Sequence, residues 1–269
     1  MKNIDFCKRR GSMRKHVLEE LMAGVAELHF FDVIDSTNAY AKKIAEEAMA
    51  SGETTPRLFV AEEQTAGRGR MGRSFSSRAN SGIYMSLLYF TDKPLCNAVS
   101  ITTATAAVVA VEIEKTLGSP MRIKWVNDIY NDRGKVCGIL VESVPVAKNV
   151  FGVIVGIGIN IGEDNFPEEL RGIAASIGDI SGREEEIVCG IVRSLLKHAA
   201  SPEDREYMAE YRKRLMMVGE RVDLLSCGEI VDAGTVAGVD DDGGLLFVPN
   251  GKDEAVVIRS GEISVRVKK

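Results

Sequence analysis

No apolar run in this 269-residue chain approaches the roughly 20 residues needed to cross a bilayer, so no membrane association is expected. The opening MKNIDFCKRRGSMRK lacks an apolar signal core, and the expected location is the cytoplasm. Cysteine offers no framework: Cys7, Cys96, Cys137, Cys189 and Cys227 are scattered without CxxC spacing, and an odd number reads as free thiols. His16, His29 and His198 are isolated, which leaves no metal-ligand cluster at a motif spacing. There is no internal repeat and no low-complexity segment. With 39 acidic and 34 basic residues the net charge is −5, which argues against non-specific nucleic-acid binding. Only about 30 residues precede the first motif, too few for a three-helix DNA-reading domain. What remains, 45% hydrophobic and 27% charged, is an ordinary globular composition with room for one large core and a second small domain.

Against this background the stretch GRGRMGRSF, Gly67 to Phe75, stands out. Glycines let backbone amides approach an anion, and arginines offer planar forks of donors matched to carboxylate and phosphate. Gly67, Gly69 and Gly72 satisfy GxGxxG, but the dinucleotide fingerprint needs a helix opening at the third glycine. The chain continues instead as SFSSRANSG, which leaves a basic loop closing over a small anionic ligand as the first reading and a solvated basic loop without a ligand as the other.

Around the loop the periodicity predicts a helix within Arg14–Leu28, a strand at Phe30–Ile34, and a helix over Ala39–Ser51 closed by Gly52. Asp35, Ser36, Thr37 and Asn38 between them are four N-cap residues where one suffices; the surplus suits either turn structure or a polar ligand head group. Strands are expected at Leu58–Ala61 and Gly82–Phe90, and a buried helix over Asn97–Leu117. Next come strands Arg122–Tyr130 and Val136–Val144 flanking the turn NDRG, with Lys124, Trp125, Asn127, Asp128 and Lys135 in or beside them. VFGVIVGIGINIG reads as a central buried strand whose Gly156 and Gly158 suit a ligand lying flat against the sheet. Two helices fill 184–217. Short strands with turn signals, including DDDGG, then predict a small barrel from Val218 that flanks the site or docks a partner.

Taken together these stretches resemble the biotin protein ligases: IDSTN (34–38), EEQTAGRGRMGR (62–73), KWVND (124–128), GKVCGILVE (134–142), GIGIN (156–160) and GEISVR (261–266), in order. Two positions depart from the family's usual pattern, Phe75 for Trp and Val126 for Pro. The resemblance implies an α+β fold with a mixed, largely antiparallel sheet, flanking helices and a C-terminal SH3-like barrel. It implies a short N-terminal extension (1–28), a catalytic domain (29–217) and the small β domain (218–269), of the ligase-only type without a DNA-binding domain.

The implied reaction makes biotinyl-5′-AMP from biotin and ATP, then transfers biotin to a lysine of a biotin carboxyl carrier protein of acetyl-CoA carboxylase or a related carboxylase. Two anions must meet in the first step, so positioned cations are required. By resemblance Lys135, Arg68 and Arg70 are catalytic. Ser36, Thr37, Asn38, Gln64, Gly67, Arg68, Gly69, Arg70, Lys135, Gly138, Ile139 and Leu140 bind biotin. Arg70, Arg73, Phe75, Lys124, Trp125, Asn127 and Asn160 bind ATP or the adenylate, and Asp128 holds Mg²⁺. Residues 65–75 are expected to order around the ligand, and a homodimer through a sheet edge is compatible with the family. The rivals are a lipoate or octanoate ligase, which wants an apolar tunnel, a biotin sensor without ligase activity, and a generic nucleotide-binding protein.

Overall fold

A computed structural model describes residues 13–92, 98–164, 166–226, 228–259 and 263–267. Cys7, Cys96, Cys227, Asn97 and the Gly261–Glu262 part of the last motif lie outside them. In chain order the elements are α1 (Lys15–Met22), β1 (Glu27–Ile34), α2 (Thr37–Ser51), β2 (Arg57–Gln64), β3 (Gly82–Thr91) and α3 (Ala98–Leu117). They continue with β4 (Arg122–Lys124), β5 (Asp128–Tyr130), β6 (Lys135–Ala147), β7 (Val150–Asn160), α4 (Glu184–Ala200) and α5 (Glu206–Arg214). The chain closes with β8 (Arg221–Ser226), β9 (Glu229–Val239), β10 (Leu245–Pro249), β11 (Val256–Ile258) and β12 (Ile263–Val267).

The first seven strands form one sheet in the order β1-β2-β3-β7-β6-β5-β4. Only β1 and β2 run parallel; every other neighbouring pair is antiparallel, so the sheet is mixed and largely antiparallel as expected. The valine, isoleucine and glycine run of β7 occupies the centre. Its odd positions Val153, Val155, Ile157 and Ile159 join the large core, while Ile154 belongs to a smaller core containing Ala41 and Ala45 of α2. Both faces are thus covered, which is why the strand is apolar throughout instead of alternating. By the same alternation Gly156 and Gly158 of β7, Gly138 and Leu140 of β6, and Ser86 of β3 share the α2 face.

Two elements differ from the sequence expectation. The helix expected within Arg14–Leu28 ends at Met22, because Gly24 turns the chain at φ 71° and Glu27 and Leu28 already pair with β2. The single strand expected at Arg122–Tyr130 folds back on itself. Trp125, Val126 and Asn127 form a tight reversal, so that β4 pairs with β5 and Lys124 stands opposite Asp128. Helix α3 is buried, as its alanine-rich composition suggested, and Gly118 at φ 69° follows it.

From Arg221 the chain forms a second, antiparallel sheet in the order β11-β10-β9-β8-β12. A small antiparallel β domain was expected here; among the described residues no pairing joins β11 to β12. The turn between β9 and β10 docks it on the first sheet: Trp125 Nε1 donates to the Gly243 carbonyl at 2.9 Å, and Arg212 pairs with Asp241 at 2.5 Å.

Candidate active site

At the junction of the two sheets lies a cavity of about 310 Å³. One end is uncharged and polar. Ser36 caps α2, its Oγ accepting the Ala39 amide, and the following Thr37 and Asn38 are almost completely buried. Gln64, at the end of β2, accepts the Thr37 amide at 2.9 Å through Oε1 and donates through Nε2 to Ser77 Oγ at 2.8 Å. The surplus of cap residues thus falls at a cavity wall, where only Ser36 performs the cap.

The other end is cationic. Arg68, Arg70, Arg73, Lys124, Lys135 and Arg266 all line the cavity, against the single carboxylate of Asp128. Six positive side chains around one opening, in a chain of net charge −5, mark an anion site. Arg70 Nη1 donates to Asn127 Oδ1 at 2.7 Å, and Asn127 Nδ2 donates to the Ile139 carbonyl at 2.8 Å. The basic loop is thereby tied to the β4–β5 reversal, which Tyr211 secures by donating to the Val126 carbonyl at 3.2 Å. Lys135 Nζ pairs with Asp128 Oδ1 at 2.7 Å. Burial lowers the pKa of Arg70, with Arg73 adding to the effect and Asp128 opposing it. Burial likewise lowers Lys124, which Lys135, Arg73 and Arg266 repel and Asp128 partly compensates. The charges of Arg70 and Lys124 are thus held at a cost that a bound anion relieves.

The floor between the two ends is glycine. Gly138 pairs with Gly158 across β6 and β7, and the Phe75 ring rests on both. A Cβ on Gly158 would lie 2.4 Å from Phe75 Cε1, and one on Gly156 would lie 2.1 Å from Asn38 Oδ1. The loop carrying Phe75 is a narrow hairpin, with Gly69 N donating to Arg73 O at 2.7 Å and Phe75 N donating to Gly67 O at 2.9 Å.

Of the residues expected at the site, Ser36, Thr37, Asn38, Gln64, Arg68, Gly69, Arg70, Arg73, Phe75, Lys124, Trp125, Asn127, Asp128, Lys135, Gly138, Ile139 and Leu140 line this one cavity. Two do not. Gly67 stands behind the loop, where a Cβ would meet Phe75 O at 2.5 Å, so its requirement is backbone packing. Asn160, expected at the nucleotide, donates instead to the carbonyls of Ala175 at 3.0 Å and Lys135 at 3.4 Å. It fastens β7 and β6 to the segment leading to α4. The sequence reading missed Met71, Ser74, Met85, Ile157 and, from the second sheet, Leu225, Val265 and Arg266. Gly156 and Gly158, expected to suit a flat ligand, line the cavity beneath Asn38 and the Phe75 ring; Val265 and Arg266 fall in the motif GEISVR, to which no site role was given.

Residues 30–160 match the model of the biotin/lipoate A/B protein ligase family. The bifunctional ligase/repressor BirA of Bacillus spizizenii is 35% identical over 230 residues, covering 82% of this chain and 69% of that protein. The chain belongs to the biotin/lipoate A/B protein ligase family. This ligase is also 28% identical over 249 residues to the biotin–[acetyl-CoA-carboxylase] ligase of Mycobacterium tuberculosis, covering 86% and 87% of the two chains. Its fold superposes on the Aquifex aeolicus biotin protein ligase in complex with biotin and ATP with a TM-score of 0.73 at 27% identity, covering 90% of this chain and 99% of that one. Among the described residues of the ligase no helix is long and apolar enough to cross a membrane.

Proposed function

We propose that this ligase condenses biotin with ATP to biotinyl-5′-AMP and transfers the biotinyl group to a lysine of a biotin carboxyl carrier protein. The observation that carries this is the two-ended cavity, an uncharged hydrogen-bonding cluster at one end and a ring of cations at the other, joined by a flat glycine floor. A fused bicyclic urea suits the first end, a carboxylate meeting a triphosphate suits the second, and the floor admits the rings between them. A lipoyl or octanoyl chain offers no hydrogen-bonding partner to the polar side chains of Ser36, Thr37 and Gln64 that line the first end.

In the first step a biotin carboxylate oxygen attacks the α-phosphorus, the bond to the β-phosphate oxygen breaks, and diphosphate leaves. Lys135 is placed to bridge the two approaching anions once it exchanges Asp128 for them, and Arg68 and Arg70 spread the charge that builds at phosphorus. In the second step the acceptor lysine amine attacks the acyl carbon, the C–O bond to AMP breaks, and the amine proton passes to solvent. The side chains around Asp128 do not form a resident metal site, for no group of three potential carboxylate, histidine or cysteine ligands occurs among the described residues. A Mg²⁺ ion fits only as one brought on the triphosphate, with Asp128 as its protein ligand and charge neutralisation as its contribution.

The test is to incubate the protein with ATP, Mg²⁺, biotin and a biotin-acceptor domain and to follow acceptor mass, with Lys135→Ala alongside. An ATP-dependent gain of one biotinyl group that falls by about 10²-fold or more in the variant is expected. Labelling by lipoate or octanoate in place of biotin would overturn the substrate, and undiminished labelling by the variant would overturn the role of Lys135.

A further inference from the structure

The reversal between β4 and β5 carries Lys124, Asn127 and Asp128 to the cationic end of the cavity, and it is gripped from two sides. From β6, the Ile139 amide donates to the Asn127 carbonyl at 3.2 Å, and the Ile139 carbonyl accepts Asn127 Nδ2 at 2.8 Å. From α5, the Tyr211 hydroxyl donates to the Val126 carbonyl at 3.2 Å. Tyr211 is fully buried and does not line the cavity, so whatever it contributes to the site passes through that bond.

The Val126 carbonyl and the Asn127 amide belong to one planar peptide unit. A hydrogen bond on that carbonyl fixes the plane, and with it the direction in which the Asn127 side chain leaves the backbone. Asn127 uses that direction at the site, where its Oδ1 accepts Arg70 Nη1 at 2.7 Å. The hydroxyl itself is held firmly. Just past α5 the Met216 amide donates to the Ile123 carbonyl of β4 at 3.0 Å, and Arg214 of α5 pairs with Glu114 of α3. Burial raises the phenol pKa well above its ordinary value of 10, with Asp128 adding to the effect and Arg70 opposing it, so the group stays a neutral donor.

We propose that Tyr211 is a positioning residue for adenylate formation, acting through the Val126–Asn127 peptide to aim Arg70 at the phosphorus under attack. The inference rests on the reading of biotin and ATP as substrates and adds a determinant that touches neither. Without the hydroxyl the peptide is free to tilt, Asn127 Oδ1 leaves the guanidinium, and Arg70 loses its aim with no change of charge at the cationic end. An interaction made chiefly in the transition state shows in kcat and not in KM.

The measurement is biotin-dependent exchange of labelled diphosphate into ATP, which reads the first step without an acceptor. In Tyr211→Phe, which keeps the ring and loses the hydroxyl, kcat is expected to fall by about three- to tenfold, the worth of one hydrogen bond, with both KM values within about twofold. The effect should vanish where its route is already cut. Asn127→Ala lowers kcat by itself, and adding Tyr211→Phe to it should change kcat by less than about twofold. A role in packing alone predicts the same factor in both backgrounds. If Asn127→Ala fails to fold, Arg70→Gln closes the same cycle from the loop side. An unchanged kcat in Tyr211→Phe, a rise in KM in its place, or a factor carried undiminished into the double variant overturns the inference and leaves the biotin reading intact. Wild-type protein without biotin-dependent exchange overturns both.

Discussion

The glycine floor can be tested by filling it. In Gly158→Ala the new methyl would stand 2.4, 2.6 and 3.0 Å from three atoms of the Phe75 ring. Carbon atoms pack at about 3.5–4.0 Å, so the ring must retreat by about 1 Å or more. Overpacking of this kind costs about 1–3 kcal/mol, which lowers Tm by about 2–4 °C per kcal/mol in a domain of this size. The ring lines the cavity, so its retreat intrudes on the space for the ligand and biotin KM should rise by about 10- to 100-fold. Phe75→Ala alone removes the ring contact and lowers Tm modestly. In the double variant the clash has no partner, so adding Gly158→Ala to Phe75→Ala should cost almost nothing in Tm. Thermal unfolding of the four proteins closes a cycle whose coupling is expected to exceed about 1 kcal/mol. Additive effects within about 0.5 kcal/mol would refute the seat of the ring on Gly158.

Three further outcomes follow from the cationic end and its supports. Burial holds Lys124 below its ordinary pKa of 10.5, so between the folded and unfolded values the unfolded chain binds more protons and stability rises with pH. At neutral pH the charge is a cost, and Lys124→Met should raise the Tm of the free protein while weakening ATP; an unchanged or lower Tm by calorimetry would contradict this. Asn160→Ala should lose about 1–3 kcal/mol of stability, because the buried Ala175 carbonyl loses its donor while that of Lys135 keeps the Ala175 amide, with ATP KM within about twofold. A large change in ATP KM at unchanged Tm would return Asn160 to the nucleotide. The loop 65–75 is held to the body of the site by Arg70 on Asn127, so biotin with ATP should protect it from limited proteolysis; cleavage at the same rate with and without ligands would count against ordering by the ligand.

What could be read beforehand and what could not divides along a physical line. The central β7, the buried α3 and the non-helical basic loop were legible because composition alone determines them: continuous apolar residues demand two covered faces, and glycine with arginine forms no period. The reversal at Trp125–Asn127 was not, because the apolar residues on either side continue without glycine or proline. Its determinants are Tyr211 and Gly243, hydrogen-bonded from 85 and 118 positions away in the sequence. Arg266 was given no site role although it ends the motif GEISVR, since the motif does not say which of its side chains will close one side of a cavity built by another sheet. Motifs, for their part, do not separate groups that touch a ligand from groups that hold those that do. Asn160 and Asn38 both stand inside motifs, and both have amides committed to the protein: one to two backbone carbonyls, the other to Glu142 and Ser86. An amide whose NH₂ is already taken has less left for a substrate, and its contribution passes in part through its neighbour. For Asn160 that neighbour is the backbone of β6 at Lys135, and for Asn38 it is the hydroxyl of Ser86 and, beyond it, Thr37. Lys135 and Thr37 stand at opposite ends of the cavity, so each asparagine supports a different end, one the cationic cluster and the other the polar cluster at the cap of α2.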